Sequence, residues 1–215
     1  MNKENYYDAK YFKWQKGSGQ LGPILDDWKF KKEINKDDCV LDFGCGGGYM
    51  LKALSCKDKY GVEINETARE QAALNGIKVF SDINNLPDDV KFDKIISNHA
   101  LEHVVNPFET LILLKDKLKD DGIIIFFLPI DDWRREKKFL PNDINKHLYT
   151  WTPLLIGNLF SLADFNVKKI SITPHTWFPL SKILYKFLPK KIIYFLCCLW
   201  GVVIKSRQIK VVASR

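Results

Sequence analysis

A run of glycines between positions 44 and 48 constrains this 215-residue chain more than any other feature. The apolar segment Val40-Leu-Asp-Phe43 leads directly into Gly-Cys-Gly-Gly-Gly, and a helix is expected to begin at Tyr49. Glycines permit a tight turn and let a ligand approach the main chain closely. Gly-x-Gly alone is a weak signal, but a strand that enters such a turn and leaves as a helix predicts a nucleotide-type ligand site.

Strand and helix patterns alternate along most of the chain. The uninterrupted apolar run Ile123–Leu128 is typical of a central strand that is buried on both faces. The alternation predicts an α/β fold, a Rossmann-like doubly wound sheet that is mostly parallel. The predicted strands are 39–43, 59–64, 77–80, 92–97, 123–128, 167–173 and 209–213.

The chain is long enough for one α/β domain and leaves little room for a second. We therefore predict a single domain over 1–215. Its N-terminal part is expected to be two helices broken at 17–22, which form a lid. The predicted parts are a helical lid at 1–35, a cofactor-binding core at 36–175, a basic apolar helical insertion at 176–205 and the last strand at 206–215.

Three acidic residues lie at or just after the carboxyl ends of three successive predicted strands. Asp42 lies in the end of the first strand, Glu63 ends the second, and Asp82 comes just after the third. Ligands of open α/β sheets bind at the carboxyl ends of the strands, where a carboxylate can accept hydrogen bonds from ribose hydroxyls. Each acid alone is also explained by a solvated strand end or a helix cap.

A dinucleotide site would need a third glycine in Gly-x-Gly-x-x-Gly, and Tyr49 stands there instead. An acid before the turn suits a ligand with positive groups and no pyrophosphate. These residues therefore favour S-adenosylmethionine, whose sulfonium and amino groups are positively charged.

Three segments together resemble the class I S-adenosylmethionine-dependent methyltransferases, over nearly the whole chain. They are Leu41-Asp-Phe-Gly-Cys-Gly-Gly-Gly48, Asn98-His-Ala-Leu-Glu-His-Val-Val-Asn-Pro107 and Leu118-Lys-Asp-Asp-Gly-Ile-Ile-Ile125, where Asp120-Asp121 replaces the usual Pro-Gly. The resemblance implies about seven strands with an antiparallel last strand, and Asn98 and His99 at the methionine end of the cofactor. The predicted cofactor residues are Asp42, Gly44, Cys45, Gly46, Glu63, Ile64, Asp82, Ile83, Asn98, His99 and Trp14.

The acceptor side is less constrained. Glu102 and His103 follow the fourth strand, and either is a candidate base, although both also suit a loop cap beneath the cofactor. His147 lies in a polar and then aromatic loop, where acceptor-binding residues are expected, whereas Trp151 is expected to fix that loop to the core. Tyr11 and Trp14 are candidate lid residues, with plain helix packing as the alternative. The predicted catalytic residues are thus His103, His147 and Glu102.

The C-terminal part is basic and apolar. From Phe165 to Arg215 there are ten Lys or Arg and no acidic residue. The uncharged run 192–204 is too short to cross a bilayer, which takes about 20 residues. Peripheral membrane contact through 177–205 is one interpretation; a homodimer contact, an acceptor cap, or packing on the domain are the others.

Further features bound the function. The segment around Trp14-Gln15, 147–151 and the basic tail is similar to methyltransferases of surface-glycan and lipopolysaccharide biosynthesis. We expect a small-molecule or glycan acceptor, with a quinone-type metabolite or a pseudoenzyme as alternatives, and no nucleic-acid partner.

Five cysteines whose spacing matches no zinc-binding pattern, together with a polar N-terminal segment, predict a cytoplasmic protein, at most peripheral on the inner membrane. No metal site is predicted, because Asp131-Asp132 resembles a solvated loop.

Overall fold

The computed structural model describes residues 9–131, 138–141 and 143–215. These residues form one seven-stranded sheet in the order β3-β2-β1-β4-β5-β7-β6. β1 to β5 are parallel, and β7 runs antiparallel to both β5 and β6. The predicted α/β sheet with an antiparallel last strand is confirmed. The strands are β1 Cys39–Phe43, β2 Asp58–Val62, β3 Lys78–Phe80, β4 Phe92–Asn98, β5 Leu118–Ile130, β6 Asn166–Thr173 and β7 Arg207–Ser214.

Helices cover the sheet, and polar side chains begin several of them. Asn65, Asn106 and Thr152 each accept a hydrogen bond from a main-chain amide in the first turn of the helix that follows. Three 3-10 turns lie at 27–29, 83–85 and 101–103. The α-helices are α1 Ala9–Leu25, α2 Tyr49–Ala53, α3 Glu66–Leu74, α4 Pro107–Lys117, α5 Pro153–Leu162, α6 Ser181–Leu184 and α7 Lys190–Val203.

The centre of β5 is the most buried part of the sheet. Residues 124–128 are fully buried, as the apolar run predicted. Phe126 packs edge-on against Phe160 of α5 with ring centroids 5.9 Å apart, and Phe127 does the same on the other face against Phe30 at 5.4 Å. Both faces of this strand are therefore covered, which is the environment that such sequences require.

The expected break in the N-terminal helix is wrong. α1 continues through Gly17, Gly19 and Gly22 as one helix. A Cβ at Gly19 would lie 3.1 Å from the ring of Tyr49, so this glycine allows α1 to approach α2 closely. Glycine costs a helix interior only about 1 kcal/mol, and tertiary packing of this kind outweighs that cost.

β5 is longer than predicted. It pairs with β4 first at Leu118, and the pairing resumes only at Ile123. The predicted turn at 120–122 is therefore an irregularity inside the strand. A Cβ at Gly122 would lie 2.9 Å from the carbonyl oxygen of Lys119, which explains why glycine occupies this position.

The insertion between β6 and β7 folds as helices, as predicted. One side of α7 is buried: Ile193 and Cys197 pack with Leu25 of α1, and a Cβ at Gly201 would lie 2.7 Å from the amide nitrogen of His175. The other side of α7 is exposed. Within the described part of the chain, no helix is long and apolar enough to span a membrane.

Candidate active site

The glycine turn connects β1 to α2 at the point where the strand order of the sheet reverses. There β1 lies between β2, on one side, and β4, on the other. Gly44, Gly46 and Gly48 all have positive φ, from 52° to 76°, a region that other residues avoid. A Cβ on Gly44 would come within 2.4 Å of the Cβ of Ala100. The turn therefore requires glycine for both conformation and space, and it exposes main chain at the crevice where doubly wound sheets bind ligands.

Two carboxylates lie beside this turn. Asp42 is buried, and burial together with the nearby Glu63 raises its pKa to about 7. Glu63 accepts hydrogen bonds of 2.9 Å from the amides of Gly46 and Asn65. A carboxylate offers about four acceptor positions, so Glu63 is oriented by the turn and retains capacity for ligand hydroxyls. This pair fits S-adenosylmethionine, which carries a ribose and two positive groups.

The residues predicted for the adenine side of the cofactor site lie after β2 and β3 and in α1. Asp82 is exposed and caps a 3-10 turn by accepting from the amide of Asn84 at 2.9 Å, whereas the side chain of Ile83 is buried. Ile64 is 42% exposed directly after β2, and it offers an apolar surface beside the turn. Trp14 lies in α1, but its side chain, like that of Tyr11, is outside the described residues.

Asn98 and His99 end β4, at the same edge of the sheet. The Lys29 ammonium donates a 2.8 Å hydrogen bond to the Asn98 side chain and lies 3.4 Å from Asp26. Burial lowers the pKa of Lys29. His99 has a positive φ of 58°, and its Nε2 lies 3.4 Å from the Gln208 side-chain oxygen.

The three predicted catalytic residues form one cluster. Glu102 is fully buried, and its Oε1 lies 3.9 Å from His147 Nε2 and 4.0 Å from His103 Nε2. His99 Nδ1 is also 3.9 Å from this oxygen. Burial raises the pKa of Glu102 to about 7 and lowers the pKa of His103 to about 4.

Asp131 completes the cluster, although sequence reasoning assigned it to a solvated loop. His147 Nδ1 lies 2.8 Å from the Asp131 carboxylate, and the Asp131 side chain is only 17% exposed. The solvated-loop interpretation is therefore wrong for Asp131, while Asp132 lies outside the described residues. With Asp131 accepting from Nδ1, His147 presents Nε2 to Glu102.

Main-chain contacts hold the His147 loop over β4. The amide of Leu148 donates a 2.9 Å hydrogen bond to the Glu102 carbonyl, and the Tyr149 hydroxyl donates to the Val105 carbonyl. Trp151 is buried in the main core and stacks on Tyr149, which confirms that it fixes the loop to the core. His147 therefore stands on a rigid support.

A cavity of about 320 Å³ opens beside the cluster. Its walls come from the ends of β4 and β5, from the segment after β6 and from the start of β7. Sequence reasoning missed most of these positions because they converge from distant parts of the chain. The lining residues are Asp26, Lys29, Asn98, His99, Pro129, Ile130, Asp131, His175, Thr176, Trp177, Ser206, Arg207 and Gln208.

The family known as the methyltransferase domain matches residues 22–170, which is more than half of the chain. The chain therefore belongs to this family, and its fold is that of the class I S-adenosylmethionine-dependent methyltransferases. S-adenosylmethionine is the cofactor of the family, in agreement with the paired carboxylates and the glycine turn.

Two groups of curated relatives are similar to the chain. A ubiquinone biosynthesis O-methyltransferase of Rickettsia bellii is 34% identical over 115 residues, covering 49% of this chain and 48% of the relative. A tRNA U34 carboxymethyltransferase of Tolumonas auensis is 28% identical over 153 residues, covering 60% and 47%. The chain thus spans about half the length of the curated relatives it matches.

Solved structures share the fold. Magnesium protoporphyrin IX methyltransferase from Synechocystis, with bound S-adenosylhomocysteine, superposes with a TM-score of 0.64 at 15% identity, covering 99% of this chain and 97% of that chain. A S-adenosylmethionine-dependent methyltransferase from Archaeoglobus fulgidus gives a TM-score of 0.60 at 20% identity, covering 95% and 99%.

Replacement of Gly44 by alanine should strongly weaken cofactor binding, whereas Gly76→Ala should not. Both positions have φ near 80°, but only the Cβ at Gly44 meets another atom within 4 Å. Each variant therefore carries about 1–2 kcal/mol of backbone strain, and only Gly44→Ala closes the turn. Calorimetry with S-adenosylhomocysteine should show at least a tenfold weaker affinity for Gly44→Ala alone. Equal losses in both variants would contradict a ligand role for the turn.

Affinity for S-adenosylhomocysteine should rise with pH through the titration of Asp42. Its pKa is raised to about 7 by burial and Glu63, so the carboxylate that attracts the ligand's positive amino group is mostly protonated at pH 6 and ionised at pH 8. This change predicts up to about a tenfold gain in affinity between those values. Calorimetry of Asp42→Asn should give weaker and nearly flat binding across this range; a rise as steep as in the wild type would rule out Asp42 as its source.

Proposed function

We propose that this protein transfers a methyl group from S-adenosylmethionine to a hydroxyl oxygen of a small-molecule or glycan acceptor. The observation that carries the proposal is the cluster of the buried Glu102 with the partly exposed His103 and His147, which contacts the cavity through His99 and Asp131. A base is needed for an acceptor whose nucleophile carries a proton, as a hydroxyl does.

When bound, S-adenosylmethionine supplies a methyl carbon that forms a bond to the acceptor oxygen as its bond to the positively charged sulfur breaks, and the electron pair goes to sulfur. The chain contributes alignment, exclusion of water and removal of the hydroxyl proton. Alignment alone is worth about 7–11 kcal/mol at best. The proton passes to the cluster, where Asp131 orients His147 so that Nε2 faces inward.

The relatives favour oxygen as the methylated atom, because several are ubiquinone biosynthesis O-methyltransferases. They also make a phenolic quinone precursor the second candidate acceptor beside a sugar hydroxyl. Relatives that modify tRNA U34 introduce a third class of acceptor. The C-terminal basic residues of this chain are interspersed with exposed apolar side chains, an arrangement less suited to an RNA backbone than to a lipid surface.

The acceptor class can be tested with a labelled donor. Purified protein would be incubated with nucleotide sugars, extracted glycolipids, phenolic quinone precursors and bulk tRNA in parallel. Label in an ether bond of a sugar or phenol would support the proposal. Label in tRNA would contradict it and would identify RNA as the acceptor. Binding of S-adenosylhomocysteine without transfer to any acceptor would favour the pseudoenzyme alternative.

Loss of the cluster should remove transfer but leave cofactor binding intact. Glu102→Gln and His147→Ala should each lower kcat by about 10²- to 10⁴-fold, the usual contribution of a positioned base. Glu70→Gln, an exposed acid on α3, is the matched control and should keep full activity. Steady-state kinetics and calorimetry with S-adenosylhomocysteine would be measured on the same preparations. Full activity in both cluster variants would refute this role.

The proposal includes a membrane-associated acceptor, which the outer face of the insertion would reach. We define this face as the exposed apolar residues of 177–205 with the lysines between them. On α7 the apolar positions recur at helical spacing, and Phe195 is 58% and Val203 68% exposed. The face comprises Leu180, Ile183, Phe187, Ile192, Phe195, Leu199, Val202 and Val203 with Lys182, Lys186, Lys190, Lys191 and Lys205.

The positive charge of this face indicates which partner binds to it. Five lysines and no acid lie within 177–205. Lys190 is paired with Asp27, and each of the other four contributes about 1 kcal/mol when it is close to an anionic membrane. Apolar side chains beside lysines match an interface between headgroups and acyl chains. A second copy of the chain would bring the same positive charges together. A surface of anionic lipid is therefore the partner that this face fits.

Vesicle flotation tests the docking. The full chain should float with phosphatidylserine-containing vesicles at low salt, and less with pure phosphatidylcholine or at high salt, because screening weakens the lysine contribution. Phe187→Ser with Phe195→Ser should abolish flotation. Leu74→Ser with Phe139→Ser removes two residues that are 82% and 88% exposed elsewhere and should have no effect. Wild-type protein that stays at the bottom of the gradient would overturn the membrane assignment. A dimer in solution that Phe187→Ser with Phe195→Ser disrupts would overturn it as well.

A further inference from the structure

We infer that Glu102, His103 and His147 form a binding site for one divalent transition-metal ion of the zinc type, which holds the acceptor hydroxyl. One potential ligand atom from each of these residues lies within 4.8 Å of the other two. This inference deepens the proposed function and rests on it for the role of the ion, while the ion's binding stands on the cluster alone.

The carboxylate of Glu102 is the first reason. The residue is fully buried, and neither Oε1 nor Oε2 has a hydrogen-bond partner among the described residues. An isolated buried carboxylate is strongly unfavourable unless a cation or hydrogen-bond donors compensate its charge. Three imidazole nitrogens, from His99, His103 and His147, lie 3.9–4.0 Å from Oε1. These distances are too long for hydrogen bonds.

The spacing suits a shared ion better than direct contacts. Zinc binds imidazole nitrogen and carboxylate oxygen at about 2.0–2.2 Å, so two ligand atoms of a tetrahedral site are about 3.4 Å apart. The observed separations of 3.9 Å and 4.0 Å exceed this value by about half an ångström. Side-chain rotations would have to close these gaps and the gap between the two imidazoles, whose ligand atoms lie within 4.8 Å of each other.

The partner of His147 is the second reason. Asp131 accepts from Nδ1 at 2.8 Å, which leaves Nε2 facing Glu102. Histidines that bind metals usually donate their other ring nitrogen to a carboxylate in this manner, which fixes the tautomer and orients the ligand. Asp131 is thus a positioning residue for the metal ligand.

The donor set indicates the class of ion. Two imidazoles and one carboxylate are typical of catalytic zinc sites, which keep a fourth position open, whereas magnesium prefers oxygen ligands throughout. Here His99 and Asp131 contact the cluster and also line the cavity, so a bound ion would lie beside the space for the acceptor. A bound cation would lower the pKa of a hydroxyl that it coordinates. With the ion in place, the hydroxyl proton leaves to water in place of passing to the cluster itself, and the negatively charged oxygen attacks the methyl carbon.

Direct binding measurements test the site without any acceptor. Zn²⁺ titrated into the full chain in competition with a chromophoric chelator should bind in a one-to-one complex. Glu102→Gln and His147→Ala should each weaken it by at least 100-fold, and Asp131→Asn by about 10- to 100-fold, the usual effect of losing an outer partner. His175→Ala, another buried histidine, and Glu70→Gln are the controls and should keep the wild-type affinity.

Co²⁺ gives a second measurement on the wild-type chain, which does not depend on the folding of any variant. Visible bands of a nitrogen and oxygen site without a thiolate charge-transfer band are expected, because the five free cysteines are outside the cluster. A thiolate band, the absence of any saturable site, or zinc affinities unchanged by Glu102→Gln and His147→Ala would overturn the inference.

The two proposals fail in different ways. Methyl transfer that survives complete chelation, with no zinc bound, would refute the ion's role in holding the acceptor but leave the transferase function. Stoichiometric zinc bound at the cluster, with no transfer to any hydroxyl acceptor, would support the metal site and refute the O-methylation.

Discussion

The hydrogen bond from the Gly46 amide to the Glu63 carboxylate ties the glycine turn to the end of β2. The amides of Gly44 and Cys45 reinforce this tie, because both donate to the Val62 carbonyl at 2.8 Å and 3.1 Å. Each such bond contributes only about 1 kcal/mol. Together they fix the turn and the acidic side chain as one unit, and the rest of the cofactor-binding edge is arranged around it.

The geometry of the glycine turn and its two carboxylates could be predicted from sequence because its determinants are local. A strand, a glycine turn and a helix follow one another within 39–53, and Glu63 comes directly after the next strand. Parallel strands bring their carboxyl ends to one edge without any knowledge of packing. The same rule placed Asn98, His99 and Glu102 at that edge, and Asp131, which follows β5, lies there too.

The other features of the fold and of the candidate site depend on contacts between segments that are distant in sequence. α1 continues through its glycines because Gly19 meets Tyr49, a contact that no local propensity reveals. Lys29 contacts Asn98 across 69 positions of sequence, and it appears in the sequence as one of many lysines. The interpretation of Asp131 was wrong because its partner, His147, lies 16 residues away and only the fold brings the two together.

The antiparallel direction of β7 has a consequence for how such a protein diversifies. Because β7 begins at the edge where β4 and β5 end, the chain segments on both sides of the insertion, at His175–Trp177 and Ser206–Gln208, line the cavity. The glycine turn lies across the sheet, on β1. Changes in the length or composition of the insertion would therefore reshape these walls of the cavity while the glycine turn stays in place.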